Sequence, residues 1–123
     1  MRIRDMTRRT RGISLAQMID DLKPYLIGWR GYFGFCETPT VLARLDRWTR
    51  RRLRAVVWKQ WRRGKTRYRN LRRRGVDHGL AARTAGSAHG PWRLSDSKAL
   101  HVALPNAHFV SLGLPPLQVS YAA

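Results

Sequence analysis

The 123-residue chain has a single cysteine, Cys36, and only seven acidic side chains. One cysteine excludes an internal disulfide framework. Cys36 with His78, His89, His101 and His108 makes no zinc pattern either, because neither CxxC nor HxxxH occurs. No metal and no cofactor is therefore expected, and Cys36 reads as a small buried hydrophobe or an inert thiol. No apolar run approaches the roughly 20 residues of a membrane span. The basic start MRIRDMTRRTRG lacks the apolar segment of a secretory signal. The expected location is cytoplasmic, with no membrane partner. Signatures of chemistry are also missing. GSAHG at 86–90 lacks the spacing of a phosphate loop, and no GxSxG occurs. Asp20 and Asp21 are helix neighbours pointing about 100° apart, which suits an exposed face better than paired acid and base. The chain is not expected to be an enzyme on its own.

What the sequence has is positive charge. Twenty-five Lys and Arg against seven Asp and Glu give a net charge of +18. An excess of this size in a small chain points to a polyanionic partner, most often nucleic acid. The alternative, a solvated basic surface kept for solubility, requires no clustering and carries the cost of self-repulsion. Clustering is present: residues 44–74 hold 15 of the 25 basic side chains and one acid, Asp46. Arginine dominates, which favours bidentate phosphate contacts and stacking over point charge. Hydrophobic content of 43% still allows a modest core.

Periodicity divides the chain into three parts, with 1–13 a basic N-terminal arm without apolar period. Ser14 is an expected N-cap. Leu15, Met18, Ile19, Leu22, Leu26, Trp29 and Phe33 then recur at spacings of three and four, the stripe of an amphipathic helix. Pro24 lies opposite that stripe, and the unbroken phase predicts one helix kinked at the proline rather than two. Gly34 begins its end. Thr38-Pro39 opens a second helix, threonine as N-cap and proline at N1. Over 41–61, Val41, Leu42, Leu45, Trp48, Leu53 and Val56 share one side, and Arg44, Arg47, Arg50, Arg51 and Arg54 the other. Gly64 breaks it, and 66–74 predicts a short third helix closed by Gly75. From 76 the helical period is lost, so 76–123 is expected to be an ordered, largely irregular extension packed on or beside the helical part, 14–75. Its Trp92, Leu100, Leu104, Phe109 and Leu112 give it something to bury. The expected fold class is mainly α, a small bundle of about three helices.

The stretch RWTRRRLRAVVWKQWRRGKTRYRNLRRR interleaves arginine with aromatics. Arginines bind phosphates through charge and counterion release, and aromatic and guanidinium planes stack on unpaired bases. The candidate RNA-binding residues are Arg47, Arg50, Arg51, Arg52, Arg54, Trp58, Lys59, Trp61, Arg62, Arg63, Lys65, Arg67, Tyr68, Arg69, Arg72 and Arg73. Trp58 and Trp61 project from the arginine side, where they either meet the partner or pack against the third helix or the extension. Arg52 falls in the apolar stripe and must snorkel or be paired. The aromatic–glycine segment YLIGWRGYFGF reads chiefly as core. Trp29 and Phe33 continue the stripe, Tyr25 and Tyr32 flank it, and Gly28 on the opposite side is a candidate for close approach by a helix or RNA.

LKPYLIGWRGYFGF, then TPTVLARLDRWTRRRLRAVVWKQW, then TAGSAHGPWRLSDSKALHVALPNAHFVSLGLP occur in that order over about residues 14–115. Together they resemble the maturase-specific region, also called domain X or the thumb, of group II intron-encoded reverse transcriptase/maturases. The likeness is greatest to the bacterial type without an appended nuclease. The resemblance implies a helical, thumb-like bundle that grips structured intron RNA, promotes splicing and supports retrohoming. Arg50, Arg51, Arg52, Arg54, Lys59, Arg62, Arg63, Lys65 and Arg67 match the basic stretch of that family. The palm's YADD motif is missing from this sequence, so polymerase activity does not carry over. The implied partner is group II intron RNA. The alternatives are a DNA target, or a separate palm-and-fingers chain for which this one would be a truncated, non-catalytic remnant.

Overall fold

The computed structural model describes residues 2–7, 13–33 and 39–115. Side chains are described for 4–7, 13–28 and 42–115, so the expected roles of Trp29, Tyr32, Phe33, Gly34, Cys36, Thr38 and Val41 fall outside the described residues. The fold is mainly α. The helices are α1 (Arg2–Met6), α2 (Leu15–Phe33), α3 (Pro39–Gln60), α4 (Gly64–Arg73), α5 (His78–Ala85), α6 (Pro91–Leu94), α7 (Lys98–Ala103) and α8 (Asn106–Ser111). Among the described residues there is no strand, and no helix is long and apolar enough to cross a membrane.

Local chemistry accounts for most boundaries. Ser14 caps α2, its hydroxyl accepting from the Gln17 backbone N–H at 3.1 Å. The helix then runs through Pro24 without interruption, as the unbroken stripe predicted. Met18, Ile19, Leu22 and Leu26 are all buried, which fixes the helix by its packed face despite the lost hydrogen bond. Gly28 lies on the exposed side, and no atom lies within 4 Å of where a Cβ would sit. Among the described residues no helix makes the close approach for which Gly28 was a candidate, and the alternative, approach by RNA, is not tested by the fold. Pro39 begins α3. Helix α4 ends as expected at Gly75, whose φ is +93°. The Gly75 and Val76 N–H groups donate back to the carbonyls of Arg72 and Leu71, and Leu71 and Val76 are both buried. This is a Schellman closure with its apolar contact. The same closure recurs at Gly113, φ +98°, with Leu114 against Phe109.

Two segments are more ordered in helices than the sequence suggested. The N-terminal arm contains α1, which packs against α2. The expectation of a largely irregular region after residue 76 is corrected by four helices, α5 to α8, none longer than eight residues. Helices this short complete too few turns to display a period, and they are marginal without packing. Their starts are nonetheless written in the chain. Asp77 and Ser97 cap α5 and α7 through the Leu80 and Leu100 N–H groups, and Pro91 opens α6.

The core is shared along the whole described chain. One cluster joins Met18, Ile19 and Leu22 of α2 and Leu53, Val56 and Trp58 of α3 to Leu71, Ala81, Leu100, Leu104 and Phe109. Helix α4 packs on α5 and α7, and α6 packs on α3. Residues 53–58 of α3 are all buried, so at that level the helix is surrounded on every side. The expected solvent side of α3 is, over its second half, an interior.

Candidate nucleic-acid interface

The enclosure of α3 sorts its arginines by depth. Arg44 and Arg47, in its first half, are exposed, and Arg50 and Arg51 are half-buried. Arg51 donates through Nε to Ser95 Oγ at 3.1 Å and through a terminal nitrogen to the Trp92 carbonyl at 3.0 Å. Its guanidinium lies 3.9 Å from the centre of the Trp92 ring, a stacked cation–π contact. Arg54 is 3% exposed. It donates to the Leu104 carbonyl at 2.9 Å and to Asn106 Oδ1 at 3.0 Å, with the Phe109 ring 5.3 Å away. Burial, and secondarily the positive charge of Arg50, lower its pKa to about 10, while Asp96 pulls it up. Arg52 is paired, as its place in the apolar stripe demanded. It donates to Thr7 Oγ1 at 3.0 Å and to the Arg4 carbonyl at 2.9 Å, tying α1 to α3. Three arginines of α3 expected at the interface thus bind backbone carbonyls of this chain.

Trp58 is a correction of a different kind. It is 0% exposed and its indole N–H has no hydrogen-bond partner among the described residues. Arg67 of α4 covers it, with the guanidinium 4.6 Å from the ring and Nε donating to the Trp58 carbonyl at 3.1 Å. Burial lowers the Arg67 pKa. A ring enclosed in this way offers no face to a base, so Trp58 is withdrawn from the candidate surface, and Arg54 with it. Trp61 is half-buried, edge-on to Trp58 at 6.1 Å, with Arg74 5.7 Å from its ring. Tyr68 is also half-buried, its hydroxyl 2.6 Å from His78 Nδ1.

The remaining candidates form a continuous exposed set. Lys59 lies in the last turn of α3, Arg62 and Arg63 form the turn, and Lys65, Arg69, Arg72 and Arg73 lie along α4; all are exposed. Lys65, Arg69 and Arg72 sit at i, i+4 and i+7, on one side of the helix. The opposite side is filled by Arg67, Tyr68 and Leu71, which hold α4 to the core. No carboxylate lies within ion-pair distance of any of these seven cations among the described residues. The turn is tight: Arg62 adopts φ +44°, in the left-handed region uncommon for non-glycine residues. Within the basic stretch 44–74, two exposed cations stand outside the set expected from sequence, Arg44 and Arg74. Arg74 could have been found as the third member of the RRR run at 72–74.

The helical scaffold carries a cationic turn and helix face with no carboxylate within ion-pair distance among the described residues, an arrangement suited to a polyanion. The family comparison makes this specific. The model of the group II intron, maturase-specific domain matches residues 1–75, well over half of the chain, and the chain belongs to that family. The match includes α1 to α4 and the whole cationic set, and ends at the glycine that closes α4. No curated protein matches the chain.

Proposed function

We propose that this chain binds structured group II intron RNA through the α3–α4 turn and the outer side of α4, assisting splicing without chemistry of its own. The observation that carries this reading is the set of seven exposed cations from Lys59 to Arg73, with no carboxylate in ion-pair distance among the described residues, on a member of the maturase-specific family. Such a surface neutralises phosphates and releases their counterions. Folded RNA suits it better than a single sequence motif would, because helical RNA is recognised mainly by shape and backbone. The buried arginines keep the α4 face in place by fastening the C-terminal helices to α3.

The test is a salt titration of affinity for a group II intron RNA, beside bulk tRNA and duplex DNA at matched ionic strength. Affinity for the intron should be highest and should fall with a log–log slope of about 0.7–0.9 per phosphate neutralised. Equal affinity for tRNA would remove the maturase reading, and a preference for duplex DNA would replace it with a DNA-binding one.

A further inference from the structure

A pocket of about 380 Å³ opens between α3 and the α6–α8 segment, with no residue of α4 in its lining. Its size falls at the lower end of the roughly 300–1,000 Å³ of small-molecule sites. Arg47, Arg50, Arg51 and Arg54, from successive turns of α3, line one side, and Asp96 is the one carboxylate opposite them. Arg51 and Arg54 are committed to Trp92, Ser95, Leu104 and Asn106. Arg47 and Arg50 have no described hydrogen-bond or ion-pair partner. Four guanidinium groups against one carboxylate leave the pocket positive, and the depressed pKa of Arg54, due in part to Arg50, reports the same repulsion. An entering anion would relieve it.

The pocket is also aromatic. Trp48 and Trp92 line it, and Trp92 is 37% exposed. Arg51 covers one face of Trp92 and is held there by two hydrogen bonds. The result is a fixed indole–guanidinium stack, the kind of platform on which unpaired bases lie. Asn106 receives Arg54 on its carbonyl oxygen, leaving its amide nitrogen available.

We propose that this pocket takes one 5′-nucleotide, its phosphate against Arg47 and Arg50 and its base against the Trp92 wall. The proposal rests on the RNA reading only for the source of the nucleotide, an unpaired RNA residue as against a free nucleotide.

The test titrates the full chain with adenosine and cytidine 5′-monophosphates and with inorganic phosphate, following the indole N–H resonances. Saturable one-site binding of the nucleotides is expected, about 5- to 150-fold tighter than phosphate, the range of one base stack. Arg47→Gln with Arg50→Gln should weaken it about tenfold or more. Lys23→Gln with Arg83→Gln, an equal loss of charge elsewhere on the exposed surface, should not. Equal affinity for phosphate, no saturable nucleotide binding, or equal losses in both double variants would overturn the site. A short single-stranded RNA that competes with the nucleotide assigns the site to an unpaired RNA residue, and failure to compete assigns it to free nucleotide. Structured-RNA affinity is measured on the same samples. If it persists while nucleotides do not bind, the pocket falls and the α4 interface stands.

Discussion

Helices α3 and α4 are both rich in arginine, six in 22 residues and four in 10, and use it in different ways. In the second half of α3 the arginines turn inward, and Arg51, Arg52 and Arg54 bind carbonyls of the C-terminal helices and of α1. In α4, Arg67 turns inward on Trp58, while Lys65, Arg69, Arg72 and Arg73 are exposed with no carboxylate in ion-pair distance among the described residues, Arg72 also donating to the Val76 carbonyl. The difference does not lie in the residues. It lies in what each helix is covered by: α3 has neighbours on every side at 53–58, and α4 on one. A guanidinium with five donors can fasten backbone carbonyls as readily as phosphates. Arginine on a helix therefore marks an anchor or an interface, and only burial tells which.

The contrast can be broken from the interior outward. The largest effect is expected for Trp58→Ala, about 3–5 kcal/mol of lost stability by chemical denaturation, the usual cost of emptying a large core site. Trp58→Phe should cost far less, because it also removes the unpartnered indole N–H, itself worth about 1–3 kcal/mol of penalty. A tryptophan that served RNA would show the reverse, stable variants with weakened binding. Next comes Arg54→Ala, expected to lose about 2–3 kcal/mol by leaving the buried Leu104 carbonyl without its charged donor. Affinity for intron RNA, measured well below the melting temperature, should change little.

The exterior gives the complement. Arg69→Gln with Arg73→Gln should leave stability within about 0.5 kcal/mol, as surface substitutions usually do. The slope of log affinity against log salt should fall by about 0.7–0.9 for each phosphate no longer neutralised. A large loss of stability in that double variant would place α4 with α3 and end the distinction. The smallest effect concerns His108, on the C-terminal side of the core. Burial, then the charge of Arg74, lower its pKa from 6.5. Below pH 6.5 the unfolded chain binds a proton that the folded chain resists, so stability should decline as pH falls through that range. His108→Gln should flatten the decline, read from melting temperatures at pH 7 and pH 5.

Much of the architecture was legible because it follows from local chemistry. The stripe Met18, Ile19, Leu22 and Leu26 sets the buried face of α2, Ser14 starts it, and Gly75 closes α4 by a conformation that other residues seldom adopt. The helices after residue 76 were not legible, since segments of four to eight residues carry caps but no readable period. The exposed half of the candidate interface could be read from charge alone. Its other half could not, because Trp58 and Arg54 lie on the same side of α3 as residues that stay in solvent.

By itself, then, the sequence determined the mainly helical fold, the basic character and the family resemblance. Each of these depends on residue type and spacing along one chain. Which arginines meet solvent was decided by the packing of α4 to α8 around α3. That packing joins residues 40 to 50 positions apart, as Arg51 to Trp92 and Arg54 to Leu104 show. No helical period reaches so far. Burial of Trp58 and exposure of Arg69 are outcomes of that enclosure.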